Sequence, residues 1–195
     1  MSVGDVVYAA YARRVARQLK PAGIPRHVGV MLDGNRRWAK ERGGSTAQGH
    51  QAGADNIANL LSWCEEIGVE VVTLWLLSTD NLARPAGELR PLLGIIERAV
   101  TDLADAGRWR IHPVGALDLL PVETAQVLKA AADSTRDVDG MLVNVAVGYG
   151  GRREIADAVR SLLQEHARAG TTIEELAEVL DVEHIAEHLY TKGQP

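Results

Sequence analysis

The hexapeptide Asp33-Gly34-Asn35-Arg36-Arg37-Trp38 sets one carboxylate beside two guanidinium groups, directly after an apolar run. A carboxylate can hold Mg²⁺, which keeps most of its waters and bridges to phosphate oxygens. Arginine forks then bind the remaining phosphate oxygens in bidentate fashion. Asp-Gly-Asn is also ordinary turn chemistry, since Gly34 and Asn35 tolerate positive φ, and paired arginines commonly sit in water. What gives the segment chemical weight is its place at the carboxyl end of a strand. His50 follows, between Gly49 and Gly53, near the start of the next helical segment. A lone histidine is as readily an ordinary surface or core residue, but here it could donate to a phosphate where a helix start already favours anions.

Two further segments have the same character. Ser78-Thr79-Asp80-Asn81-Leu82-Ala83-Arg84-Pro85 reads as a polar helix start, with Ser78, Thr79 or Asp80 as cap and Pro85 near the first turn. Arg84 would add charge there, and Asn81 could accept a hydrogen bond from a substrate proton. Gly148-Tyr149-Gly150-Gly151-Arg152-Arg153-Glu154 puts two adjacent glycines before a helix, letting backbone N–H groups approach an anion. Neither GxGxxG nor GxxxxGK[ST] occurs, so nucleotide binding is not indicated. Taken together, three strand ends with arginine, one of them adding a carboxylate, read as a site for diphosphate and Mg²⁺.

The elements that must position these groups are legible as short β-branched runs alternating with helical periods. Residues 27–32, 69–77, 109–114 and 141–147 read as strands apolar enough to be buried on both faces. Helices are expected over 54–67, 88–106, 122–132 and 152–167, and another opens at Thr172 with Glu175 in a capping-box pattern. Residues 21–25 read as a break between an N-terminal helix and the first strand. Strands alternating with helices predict an α/β fold, a single domain with a mainly parallel sheet covered by helices. In such sheets the ligand sits outside the carboxyl ends of the strands.

Bulk composition sets limits. The chain has 195 residues, 46% of them hydrophobic and 24% charged, which suits one domain with one core. A formal charge of −5 argues against general affinity for nucleic acid or acidic membranes. Cys64 is the single cysteine, which fits a reducing cytoplasm. The N-terminal twenty residues lack the apolar core of a signal peptide, and the longest apolar stretch, residues 71–77, is too short to span a bilayer. Phenylalanine is absent, so any greasy cavity must be lined by Leu, Ile, Val, Ala, Met, Trp or Tyr.

HVGVMLDGNRRWAKERG with His50 downstream resembles the first signature of the cis-prenyltransferases, the Z-isoprenyl diphosphate synthases. LSTDNLARP resembles their second and NVAVGYGGRREI their third, in the same order and spacing across residues 27 to about 160. The resemblance implies a central, mainly parallel sheet, an elongated hydrophobic tunnel and a homodimer. It implies an enzyme condensing an allylic diphosphate with isopentenyl diphosphate, with Mg²⁺ as cofactor. By the same resemblance Asp33 binds the metal and assists departure of the diphosphate, and Asn81 helps remove the proton after condensation. Gly34, Asn35, Arg36, Arg37 and Trp38 wrap the allylic diphosphate, with His50 and Arg84 as further contacts. Ser78, Thr79 and Asp80 line the substrate.

Three departures from the family pattern stand out. Thr46 occupies a place where many members carry a phosphate-binding arginine. Leu77 and Leu82 replace aromatic residues of long-chain members, and Leu82 leans toward the actinobacterial short-chain type that makes (2Z,6E)-farnesyl diphosphate from geranyl diphosphate. Thr46 and Leu82 stay among the substrate-binding positions. Finally, the family continues past LYTKGQP into an Arg-x-Ser-Gly-Glu-x-Arg stretch that binds isopentenyl diphosphate, then a glutamate completing the Mg²⁺ site. The expectation is therefore a single domain over residues 1–195 that lacks its C-terminal segment. The alternatives are a long-chain polyprenyl diphosphate synthase or a non-catalytic partner subunit. Such partners generally lose residues of the Asp33 and Arg37 type, which this chain keeps. The reading also allows a peripheral membrane contact for product release.

Overall fold

The computed structural model describes residues 3–19 and 23–195. Four strands form one wholly parallel sheet in the order β1 (His27–Met31), β2 (Val71–Ser78), β4 (Leu142–Tyr149), β3 (Arg110–Val114). The helices are α1 (Val3–Gln18), α2 (Asn35–Glu41), α3 (Thr46–Asp55), α4 (Ile57–Glu66), α5 (Ala86–Asp105), α6 (Val122–Ser134), α7 (Gly151–Ala169), α8 (Ile173–Val179) and α9 (Val182–Ala186). The predicted parallel α/β domain is therefore present. The N-terminal helix is α1, while part of the predicted break at 21–25 lies outside the described residues.

The alternating residues Val72 and Leu74 of β2 and Val143, Val145 and Val147 of β4 point into one core. Leu61 of α4, Leu93, Ile96 and Val100 of α5 and Leu128 of α6 meet them there. Burying each such side chain stabilises the fold by about 1.5–3 kcal/mol. The remaining strand faces are tied down differently. Buried Asn144 donates from Nδ2 to Thr73 Oγ1 (3.0 Å) and to Gln194 Oε1 (2.6 Å), and Gln194 Nε2 donates back to Asn144 Oδ1 (3.1 Å). A polar residue in the middle of an apolar strand is thereby fully partnered, and residues 190–195 become a strap across the sheet.

Three expectations need correction. Strands β1 and β3 are not buried on both faces: they lie at the sheet edges, where Gly29 and Met31 of β1 and Arg110 of β3 are exposed. The helix expected over 54–67 is two helices, α3 and α4, meeting at Asn56. The sequence TAQGHQAGAD of α3 carries little apolar periodicity, and a capping box between Ser45 and Gln48 starts it eight residues early. His50 is accordingly the fifth residue of α3, not part of a helix start.

Candidate active site

The chain leaves β1 into a sharp bend. Gly34 has φ 86°, a left-handed conformation that glycine adopts without strain. Its N–H is held by Asp33 Oδ1 at 2.6 Å, and its carbonyl accepts from the Trp38 N–H at 2.9 Å, opening α2. Asn35 closes the bend by donating from Nδ2 to the Leu32 carbonyl at 3.2 Å. Asp33 and Arg37 are left at the rim, their side chains 78% and 81% exposed and no closer than 3.8 Å.

At the end of β2 the sheet register slips twice. Leu76 is an extra residue between the pairs Trp75–Ala146 and Leu77–Val147, and Gly148 is the compensating extra residue on β4, with φ 66°. A bulge re-aims side chains beside a site. Here it lets Trp75 and Leu76 both reach the cavity while Leu77 stays in the core. Beyond it, a 3₁₀ turn over Asp80–Ala83 is pinned by Ser78 Oγ, which accepts from the Asn81 N–H, and by the Thr79 N–H donating to the Tyr149 carbonyl (3.0 Å). Pro85 then caps α5 from outside its first turn.

These two strand ends share one cavity of about 640 Å³. Its mouth holds Asp33, Gly34, Asn35, Arg36, Arg37, His50, Ser78, Asn81 and Arg84. Its body is apolar, formed by Ile57, Leu76, Leu92, Ile95, Ile96 and Ala99. Three arginines, Arg36, Arg37 and Arg84, therefore line the mouth of a largely apolar cavity. Half-buried His50 is held below its ordinary value of 6.5, first by burial and then by the positive charges of Arg84 and Arg36. That shift favours the neutral ring, which can donate from one nitrogen.

Five predicted site residues do not line this cavity. Trp38 lies beneath the Arg42 guanidinium, 4.7 Å from its ring centre, and Thr46 is exposed at the first position of α3. Thr79 packs against Gly150, Asp80 is exposed, and Leu82 packs on the core. The apolar lining residues of α5 were missed. That helix was expected from its period, but nothing in the period separates side chains facing the core from those facing a cavity.

The turn after β4 also departs from expectation, since its arginines do not face the cavity. Arg153 is committed to Asp157 (2.9 Å) and Asp118 (3.6 Å). Buried Glu154 accepts from Tyr149 OH at 2.7 Å and the Tyr190 N–H at 2.9 Å. Burial and the Glu154 carboxylate push Tyr149 up to about 12. Gly150 is needed for close approach: a Cβ there would meet Thr79 Oγ1 at 2.6 Å. This turn supports the β2 turn.

Fold and site define an α/β protein with three arginines at the mouth of a largely apolar cavity. A family model described as "Putative undecaprenyl diphosphate synthase" matches residues 31–195, and the chain belongs to this prenyltransferase family. It is 64% identical over 190 residues to a (2Z,6E)-farnesyl diphosphate synthase of Thermobifida fusca, covering 97% of this chain and 74% of that protein. It is 59% identical over 185 residues to isoprenyl transferase 1 of Streptomyces avermitilis, covering 95% and 72%. Among solved structures it resembles lavandulyl diphosphate synthase from Lavandula x intermedia in complex with dimethylallyl diphosphate. The TM-score there is 0.79 at 28% identity, covering 88% of this chain and 73% of that one.

Proposed function

We propose that the protein condenses an allylic diphosphate, geranyl diphosphate first among them, with isopentenyl diphosphate in the cis (Z) configuration, releasing diphosphate. The observation that carries this reading is the single cavity joining Arg36, Arg37, Arg84 and His50 at its mouth to the apolar body lined by α5. The diphosphate lies among the arginines and the prenyl chain fills the slot. As the allylic C–O bond breaks, its electron pair moves onto the departing diphosphate, and fixed guanidinium groups stabilise that charge. The isopentenyl double bond then attacks the allylic carbon held in line, and loss of one proton completes the product. The released diphosphate takes up that proton, and Asn81, which lines the mouth, would hydrogen-bond to the substrate as the proton leaves.

Mg²⁺ fits the donor set as an ion held jointly with substrate. Among the described residues no group of three His, Cys, Asp or Glu side chains could hold a metal alone. Exposed Asp33 would supply one carboxylate to the ion, which would be held together with the substrate diphosphate. When bound, the ion offsets charge on the diphosphate.

A short product is supported by the (2Z,6E)-farnesyl diphosphate synthases among the relatives. No helix among the described residues is long and apolar enough to cross a membrane. Lone, buried Cys64 is consistent with a reducing cytoplasm, and homodimer assembly rests on the family resemblance.

The test is condensation of radiolabelled isopentenyl diphosphate with geranyl, farnesyl and longer primers, for the wild type and Asp33→Ala. The reading expects geranyl diphosphate to be preferred, one condensation per product, and a loss of about 10²–10³-fold in Asp33→Ala with an unchanged melting curve. Repeated elongation would replace the short-chain reading with a long-chain one. Activity of Asp33→Ala within about tenfold of wild type would remove Asp33 from the chemistry.

A further inference from the structure

Helix α3 contains two glycines, Gly49 and Gly53, among its 10 residues, although glycine inside a helix is destabilising by roughly 0.5–1 kcal/mol relative to alanine. Neither has a positive φ, so backbone freedom is not the reason. Space is. A Cβ on Gly49 would lie 2.1 Å from the Asn35 carbonyl oxygen. One on Gly53 would lie 2.6 Å from Asn35 Oδ1 and 2.9 Å from Asn35 Nδ2. Both approaches are well inside van der Waals contact, and both are made to the same residue.

Asn35 is the residue that closes the bend after β1. Its Nδ2 donates to the Leu32 carbonyl at 3.2 Å, spanning Asp33 and Gly34, and lies 3.5 Å from His50 Nδ1. One amide thus links the end of β1, the start of α2 and the histidine between the two glycines. Behind it, buried Ala39 completes the close contact of α2 with α3, 3.0 Å from the missing Gly49 Cβ.

We infer that Gly49 and Gly53 are positioning residues: they form a seat for Asn35, and through Asn35 they fix the bend that aims Asp33, Arg36 and Arg37 at the diphosphate. This rests on the function proposed above. A methyl group at Gly53 displaces the amide that holds Leu32, and the bend loses its tie. A displacement near 1 Å at a reacting group can lower rate by about 10²-fold. If the glycines served only general helix packing, the loss would not depend on Asn35.

A double-mutant cycle with Gly53→Ala and Asn35→Ala separates the two cases. The readouts are kcat and KM for geranyl diphosphate, Kd for inorganic diphosphate, and the melting curve. Gly53→Ala alone is expected to lower kcat/KM by about 10–100-fold and to weaken diphosphate binding. In the Asn35→Ala background the same substitution is expected to change either quantity by less than about twofold. Equal losses in both backgrounds, or no loss in the single variant, would overturn the seat. If Gly53→Ala alone fails to fold, the double variant decides by its melting curve: folded supports the seat, unfolded overturns it. A wild type inactive in condensation would sink the proposed function, while the diphosphate Kd would still read the seat. An active wild type with an unaffected Gly53→Ala would sink the seat alone.

Discussion

The turns after β1 and after β4 share a composition: glycine, two adjacent arginines and an acidic residue at the end of a parallel strand. Their fates differ because of partners. After β4, Arg153 is paired with Asp157 and Asp118, and buried Glu154 is satisfied by hydrogen bonds from the Tyr149 hydroxyl and the Tyr190 N–H, so both side chains are held by partners within the protein. After β1, Arg37 has only Asp33 at 3.8 Å, and Arg36 forms no ion pair among the described residues. Charge left uncompensated at the mouth of an apolar slot is available to a ligand; charge compensated locally holds structure. Composition alone does not distinguish the two, and the carboxylates that do so lie far along the chain or one helical turn away.

That contrast can be broken in several places. The largest expected effect is on the β1 turn: Arg36→Ala and Arg37→Ala should each lower kcat/KM by about 10–100-fold, in keeping with the 1.5–3 kcal/mol of a charge-assisted hydrogen bond, with melting temperature unchanged. Steady-state kinetics and a thermal melt on the same preparation check this. The β4 turn should answer in the opposite currency. Tyr149→Phe removes a donor from buried Glu154 and should destabilise the fold by about 1–3 kcal/mol, read by urea unfolding, with turnover per folded molecule retained. A Tyr149→Phe protein as stable as wild type would mean that the Glu154 cluster is not structural.

A smaller effect sharpens the electrostatics of the β1 side. His50 is held below 6.5 in the folded protein, so the unfolded chain takes up its proton first as pH falls. Its contribution is fully present above pH 6.5 and is lost on going below it toward the folded value. Unfolding free energy should therefore fall more steeply with acidification below pH 6.5 in wild type than in His50→Asn. Parallel profiles would place His50 in a more solvated setting.

Much of the fold was readable from residues. All four strands were expected within two residues of their observed ends, because β-branched runs flanked by glycine and polar turns have few alternatives. Helix α3 was not, since its two glycines and polar residues carry no apolar stripe; the Ser45–Gln48 capping box was its one local signal, and its close packing on Asn35 is tertiary. At the site, Asp33, Arg36, Arg37, Asn81 and Arg84 were singled out by type and position, and the structure brings them to one cavity. Trp75 and Leu76 were not, because the bulge that exposes both depends on Gly148 in a neighbouring strand. Gly148 inside an apolar run was the one available signal. Arg152 and Arg153 looked like phosphate ligands for want of a way to see Asp118 and Asp157 beside Arg153.

The most direct test of the central claim is calorimetric binding of geranyl diphosphate to wild type, Arg37→Ala and Arg153→Ala. With the diphosphate seated at the β1 turn, Arg37→Ala weakens binding by about 10–100-fold. Arg153→Ala leaves Kd within about twofold, because that side chain is already spent on carboxylates. Unchanged affinity in Arg37→Ala, or a comparable loss in Arg153→Ala, would contradict the account.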